Sequence, residues 1–180
     1  APESSSTANT SDAAETVYKD TITIATASDQ NYMDGQMNNT NDVYLRAVYS
    51  QLVRRSADND IIGDLAERWE VSEDGCTWTF HLKHGIKFHS GKELTAKDVK
   101  ASYDRLLDTE NPVRYNSLAT GYISACNMVD EYTVELVTPS PIAPMLANLT
   151  HRSNLILNED YIEKYGAELG LTVESVDGTG

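Results

Sequence analysis

The sequence predicts an α+β fold, built from antiparallel hairpins with helices set between them. Three observations carry that prediction. Around Ser72-Glu73-Asp74-Gly75, Trp69 and Val71 on one side and Trp78, Phe80 and Leu82 on the other alternate with polar residues, as in two paired strands with one buried face. Residues 123–129 and 132–138 form a second such pair over Asp130-Glu131. Between the two, Val99, Tyr103, Leu106 and Leu107 recur at helical spacing.

In chain order, residues 1–15 hold Ser, Thr, Ala and acidic side chains with no large apolar one, and cannot bury enough surface to offset their ordering entropy. Residues 1–16 are therefore expected to be a disordered tether, an ordinary ragged N-terminus being the other reading. Residues 17–27 alternate as a strand through Ile22 and Ile24, and residues 28–41 are a long polar loop. Thr40 or Asn41 can cap a helix carrying Val43, Tyr44, Ala47, Val48 and Leu52, and Leu52-Val53 runs on toward a turn at Asp58-Asn59-Asp60.

The first hairpin follows. Gly85 and Gly91 then punctuate a turn around Ile86 and Phe88. Thr95, with Asp98 three residues on, opens the central helix in the manner of a capping box, and Thr109-Glu110-Asn111-Pro112 ends it. Residues 115–123 are ambiguous. After the second hairpin, Pro139, Pro141 and Pro144 break strand pairing and a short helix is expected over 143–149. Asn158 or Glu159 begins a last helix through Tyr161, Ile162, Tyr165 and Leu169.

The segments LAERWEVSEDG, TWTFHLKHGIKFHSG and TAKDVKASYDRLL, in that order from Leu65 to Leu107, closely resemble the signature region of the bacterial extracellular solute-binding proteins of family 5. Weaker echoes lie in Leu52-Val53, Val134-Glu135-Leu136 and the closing Asp177-Gly178-Thr179-Gly180. The resemblance implies a type II periplasmic-binding-protein-like (α/β) fold, of which residues 17–46 begin ligand-binding lobe one. Residues 47–169 would form the extra mixed hairpin and helix domain of the larger members, and residues 170–180 would return toward lobe one. It also implies a much longer protein, of which this chain is an N-terminal fragment.

The function implied is the substrate-binding component of an ABC importer, capturing peptides outside the cytoplasm for a membrane permease, monomeric and not an enzyme, with no cofactor. A nickel-chelate or other small-solute binder and a peptide-sensing receptor remain alternatives. The resemblance and the polar leader together point to an exported protein, periplasmic or tethered to the cell surface as a lipoprotein.

Composition narrows the choice. With 28 acidic against 14 basic residues and a net charge of −14, the chain is a poor candidate for nucleic acid or an anionic membrane surface. Two cysteines, Cys76 on the hairpin turn and Cys126 in a strand, are too few for a disulfide scaffold and are expected to be free.

The motifs exclude several chemistries. His81, His84 and His89 fall close together, with His151 far away, but no cysteine or carboxylate joins them at a ligand-like spacing, so they read as structural. Gly85 to Glu93 departs from a phosphate loop in glycine spacing and in having Glu93 where a hydroxyl is required. No nucleophile elbow or Cys–His pairing is recognisable. Glu67, Glu70 and Glu73 read as a solvated edge.

The segment 32–41 combines aromatic, thioether, amide and hydroxyl groups, which suit either an adaptable binding loop or a surface loop rich in turn formers. By resemblance the ligand-lining positions fall near Met37, Asn38, Asn39 and Thr40, and the composition of the segment adds Tyr32 as a candidate. By the same resemblance Tyr115 and His151 would approach the cleft from the extra domain, a packed or surface side chain being the equal alternative for each.

Overall fold

The computed structural model describes residues 33–37 and 42–179. The predicted tether, the strand over 17–27, most of the loop over 28–41 and the cap at Thr40 or Asn41 lie outside the described residues.

Helix α1 (Asp42–Val48) opens the described chain and leads into a small hairpin of β1 (Val53–Arg55) and β2 (Ile61–Gly63). Then come β3 (Ala66–Val71) and β4 (Thr77–Leu82), the central helix α2 (Ala96–Leu107) and the short helix α3 (Asn116–Ala119). β5 (Ala125–Asp130), β6 (Thr133–Val137), α4 (Met145–Leu149) and α5 (Glu159–Tyr165) complete the order, with single 3-10 turns at 152–154, 166–168 and 173–175.

Both predicted hairpins form, and they fuse edge to edge. β4 pairs with β6, giving a four-stranded antiparallel sheet in the order β3-β4-β6-β5. Trp69 stands opposite Phe80 and Val71 opposite Trp78, so the alternation read in the sequence faces one side of the sheet. α2 lies against that side. Its Val99, Tyr103 and Leu106 meet Phe80, Leu82, Cys126, Val134 and Leu136 in one buried cluster. Both edge strands carry a register shift, between Ala66 and Arg68 in β3 and between Met128 and Asp130 in β5, and such irregularities discourage edge-to-edge pairing with another chain.

The start of α2 follows its sequence signal. Asp98 Oδ2 accepts the Thr95 backbone N–H at 3.0 Å. Gly85 and Gly91 take φ of +74° and +90°, which only glycine adopts cheaply, and the turn between them closes through a bridge from Lys87 to Glu93.

Two elements depart from expectation. α1 stops at Val48, and the side chains it buries are Leu45, with Tyr49 just beyond, rather than Ala47, which is exposed. Leu52 is not helical, because its carbonyl accepts the backbone N–H groups of Asp64 and Ala66 and so belongs to the β1–β2 hairpin. Likewise α5 ends at Tyr165, with Gly166 at φ +51°, so Leu169 reaches the interior from beyond the helix.

Leu45, Tyr49, Leu155, Leu157 and Leu169 form a second, smaller core cluster. It sits where the two flanks of the described chain meet. Met33 N–H donates to Gly170 O at 2.7 Å. A buried carboxylate, Asp177, accepts from Ser90 N–H (2.8 Å), Ser90 Oγ (2.7 Å) and Asn158 Nδ2 (2.6 Å). His89 N–H donates to Gly178 O at 2.8 Å. The segment 169–178 is thus stitched both to residues 33–35 and to the Gly85–Gly91 turn.

Candidate functional site

A side-chain constellation outside the cores lies where α3, the end of α4 and the following 3-10 turn converge. Tyr115 precedes α3, and His151 follows the last turn of α4. Their rings meet edge to face, with centroids 5.3 Å apart and planes at 78°. Arg152 Nε donates to the Tyr115 hydroxyl at 3.0 Å, and its guanidinium lies 5.6 Å from the ring centroid.

Buried amides hold the backbone beneath. Gln51 Nε2 donates to Leu149 O (3.1 Å) and His151 O (2.6 Å). Asn154 Nδ2 donates to Asn148 O and to the Tyr122 hydroxyl, both at 3.1 Å. His151 Nδ1 accepts the Ser153 backbone N–H at 3.2 Å, which caps the 3-10 turn and orients the imidazole. Side chains anchored in this way make a prearranged surface rather than a loose loop.

Beside them opens a cavity of about 630 Å³, lined by Arg46, Arg55, Leu118, Tyr122, Asn148 and His151 among others, and by Arg152. Tyr115 bounds it indirectly, through its contacts to His151 and Arg152. Tyr115 and His151, singled out separately in the sequence, are therefore direct neighbours. Sequence reasoning did not single out the three arginines. Arg46 lies in the last turn of α1.

The segment 32–41 divides differently. Asp34 is fully buried and pairs with Arg105 of α2, Oδ2 to Nη2 at 2.6 Å. Gln36 Nε2 donates to Ser102 O at 2.8 Å, and its Oε1 accepts from Arg105 Nη1 at 2.9 Å. Met37 packs half-buried against the larger core cluster. This stretch is tied to α2 by charge-assisted hydrogen bonds, a role that local composition did not signal. Tyr32, Asn38, Asn39 and Thr40 lie outside the described residues.

His81 and His84 line one small cavity, to which His89 and His151 do not belong. His81 Nε2 is 3.3 Å from Glu70 on the exposed sheet edge, His84 stacks on Tyr132 at 3.9 Å, and His89 belongs to the Gly178 stitch. Among the described residues no three His, Cys, Asp or Glu side chains gather as a metal site, and no helix is long and apolar enough to cross a membrane. Both cysteines are free. Burial, and secondarily the charge of Asp104, pushes the Cys126 thiol up to about 12.

Comparison with known proteins gives this geometry a context. Residues 60–180 match the family described as bacterial extracellular solute-binding proteins, family 5 Middle. The chain is similar to the dipeptide-binding protein of Escherichia coli (strain K12), 38% identical over 135 residues that cover 64% of this chain and 25% of the relative. It is also similar to the glutathione-binding protein of Salmonella typhimurium, 33% identical over 135 residues, 72% of this chain and 26% of the relative. Among solved structures, the periplasmic binding protein DppA from Helicobacter pylori in complex with the peptide STSA superposes with a TM-score of 0.72 at 28% identity, covering 84% of this chain and 34% of that one. The chain thus spans about a quarter of the length of the curated relatives it matches.

Proposed function

The chain belongs to the bacterial extracellular solute-binding proteins of family 5, and on that premise we propose that it is part of the substrate-binding component of an ABC importer that captures peptides. The observation that carries the reading is the family match over residues 60–180, joined to relatives named for dipeptide and glutathione binding and a superposed structure holding a peptide. In this reading the complete protein closes two lobes around its ligand by hinge motion and presents the closed form to a membrane permease. It acts as a monomer, by binding rather than catalysis.

Residues 17–46 supply the start of lobe one, 47–169 the extra domain, and 170–180 the return to lobe one. The stitching of 169–178 onto residues 33–35 supports that division. Tyr32, Met37, Asn38, Asn39 and Thr40 contribute from the loop and Tyr115 and His151 from the extra domain. The protein is exported, and residues 1–16 tether it to the membrane surface.

Native mass spectrometry of the full-length protein as purified, followed by denaturing analysis of what it releases, tests the reading. A set of short-peptide masses is expected. A single discrete small solute or a metal chelate would overturn the peptide assignment.

A further inference from the structure

We infer that the free edge of β5 is a docking site for an extended, lysine- or arginine-bearing segment of a partner protein, which adds to the sheet as a fifth strand. β5 pairs with β6 on one side, and among the described residues no strand pairs with its other side. Half of the backbone N–H and C=O groups of an edge strand point away from its neighbour and are left to solvent or to another chain.

Edge strands are ordinarily guarded by charge, proline or a bulge. The opposite edge, β3, carries Glu67, Arg68 and Glu70. β5 has neither a charged residue nor a proline over 125–129. Met128 and Val129, consecutive on it, are 45% and 55% exposed. Its register shift comes at its far end, between Met128 and Asp130, and leaves 125–128 in regular register with β6.

A trough accompanies this edge. Three cavities of about 820, 280 and 550 Å³ lie in a row between β5, α2 and α5, and Glu159 lines all three. α2 lines them with Lys97, Lys100, Asp104 and Asp108, which recur at helical spacing along one flank. That flank is about 17 Å long, the span of about five extended residues, which matches the unguarded length of β5.

Charge selects the occupant. Lys100 is paired with Asp104 at 2.6 Å, and Arg105 with buried Asp34 at 2.6 Å. Lys92 is held by Asp98 and Asp160. Among the described residues, Asp108, Glu131, Glu159 and Glu163 have no Lys or Arg partner, against Lys97 alone on the basic side of the lining. An added strand would pair its backbone with the edge and turn alternate basic side chains toward these carboxylates. A second copy of this chain, at net charge −14, would bring like charge to the same place. The inference stands on groups of this chain and is independent of solute capture.

The test is a two-dimensional amide NMR titration of the 180-residue chain with three capped heptapeptides. These are Lys-Val-Lys-Val-Lys-Val-Lys, its glutamate counterpart, and the lysine peptide with every backbone nitrogen methylated. Saturable shifts over 125–129, with slowed amide hydrogen exchange there, are expected from the first peptide and from neither of the others. Met128→Lys puts a guarding charge on the edge, and the double variant E159Q/E163Q removes two carboxylates of the trough. Each should melt as the parent does and bind the lysine peptide about tenfold more weakly.

No binding of the lysine peptide, equal binding of its methylated form, binding without slowed exchange in β5, or unaltered affinity in E159Q/E163Q would overturn the inference. Slowed exchange in β5 on self-association without peptide would overturn it too, by making a second copy the occupant. Any of these would leave peptide capture standing, since the mass analysis of released ligand reads that separately.

Discussion

Replacing Asp98 by alanine should cost the chain a large part of its stability, although no ligand contact is touched. Asp98 is fully buried near the start of α2 and accepts from four donors: Thr95 N–H (3.0 Å), Thr95 Oγ1 (3.3 Å), Lys92 Nζ (3.0 Å) and the Glu159 backbone N–H (3.0 Å). The first belongs to the capping box and the second holds the Thr95 side chain beside it, and losing such a cap costs about 1 kcal/mol. The bond from Glu159 joins α5 to α2, and a hydrogen bond to a charged acceptor contributes about 1.5–3 kcal/mol. Lys92 keeps Asp160 (3.1 Å) and Asn158 (3.1 Å) and is partly solvated, so its share is small. The sum is about 2.5–4 kcal/mol, against a total of roughly 5–15 kcal/mol for a typical domain. Urea unfolding followed by tryptophan fluorescence measures it, with Asp98→Asn as the graded control that retains one acceptor oxygen. A loss below about 1 kcal/mol for Asp98→Ala would refute the account of α2 and α5 as joined through this carboxylate.

Three further outcomes are expected. Cys126, 3% exposed with its thiol pushed up to about 12, should resist a thiol reagent in the folded chain while half-buried Cys76 reacts; two equally fast equivalents in a colourimetric thiol assay would contradict this. Tyr49, Tyr103, Tyr122 and Cys126 all have pKa values raised above their ordinary 10 and 9, chiefly by burial. Their folded forms hold protons that the unfolded chain releases first, so stability is intact below pH 9 and falls as pH rises beyond it; the melting temperature should be lower at about pH 10.5 than at neutrality, and equal values would dismiss the effect. In Gly178→Ala the new Cβ would stand 2.6 Å from the Val48 carbonyl carbon, so the segment 169–178 should detach and become protease-sensitive at a cost of about 1–3 kcal/mol, and an unchanged digestion pattern would count against the stitch.

Much of this architecture was legible because strong local patterns agreed with the tertiary solution. The Trp78-Phe80-Leu82 alternation, the Thr95 start and the Asp130-Glu131 turn each act within a few residues, and the sheet and α2 follow from them. α1 was misjudged because Leu52 continues its apolar spacing, while a backbone partnership with Asp64 and Ala66 takes that residue into a hairpin with strands only three residues long. The fusion of the two hairpins through β4 and β6 joins residues more than fifty positions apart and leaves no periodic trace. The same holds for the site. Tyr115 and His151 could be named individually, but their edge-to-face contact and the convergence of Arg46, Arg55 and Arg152 arise only from packing. Asp34 sits in a polar run that reads as loop, and its partner Arg105 lies on a helix whose sequence signal is its apolar face.

The stitch between residues 33–35 and 169–178 also bears on modularity. The chain leaves through α1 and comes back alongside it, with Gly178 packed against the Val48 backbone. Everything from the first small hairpin to α5 is thereby an excursion whose entrance and exit share one doorway. Domains with adjoining ends can be inserted into a host, exchanged between hosts or circularly permuted with little disturbance to the body that carries them. Because loop-closure entropy grows only slowly with length, shortening or enlarging the excursion would change the cost of closing that doorway very little. A carrier of this design can acquire or remodel a whole accessory layer while the frame beneath it keeps its register.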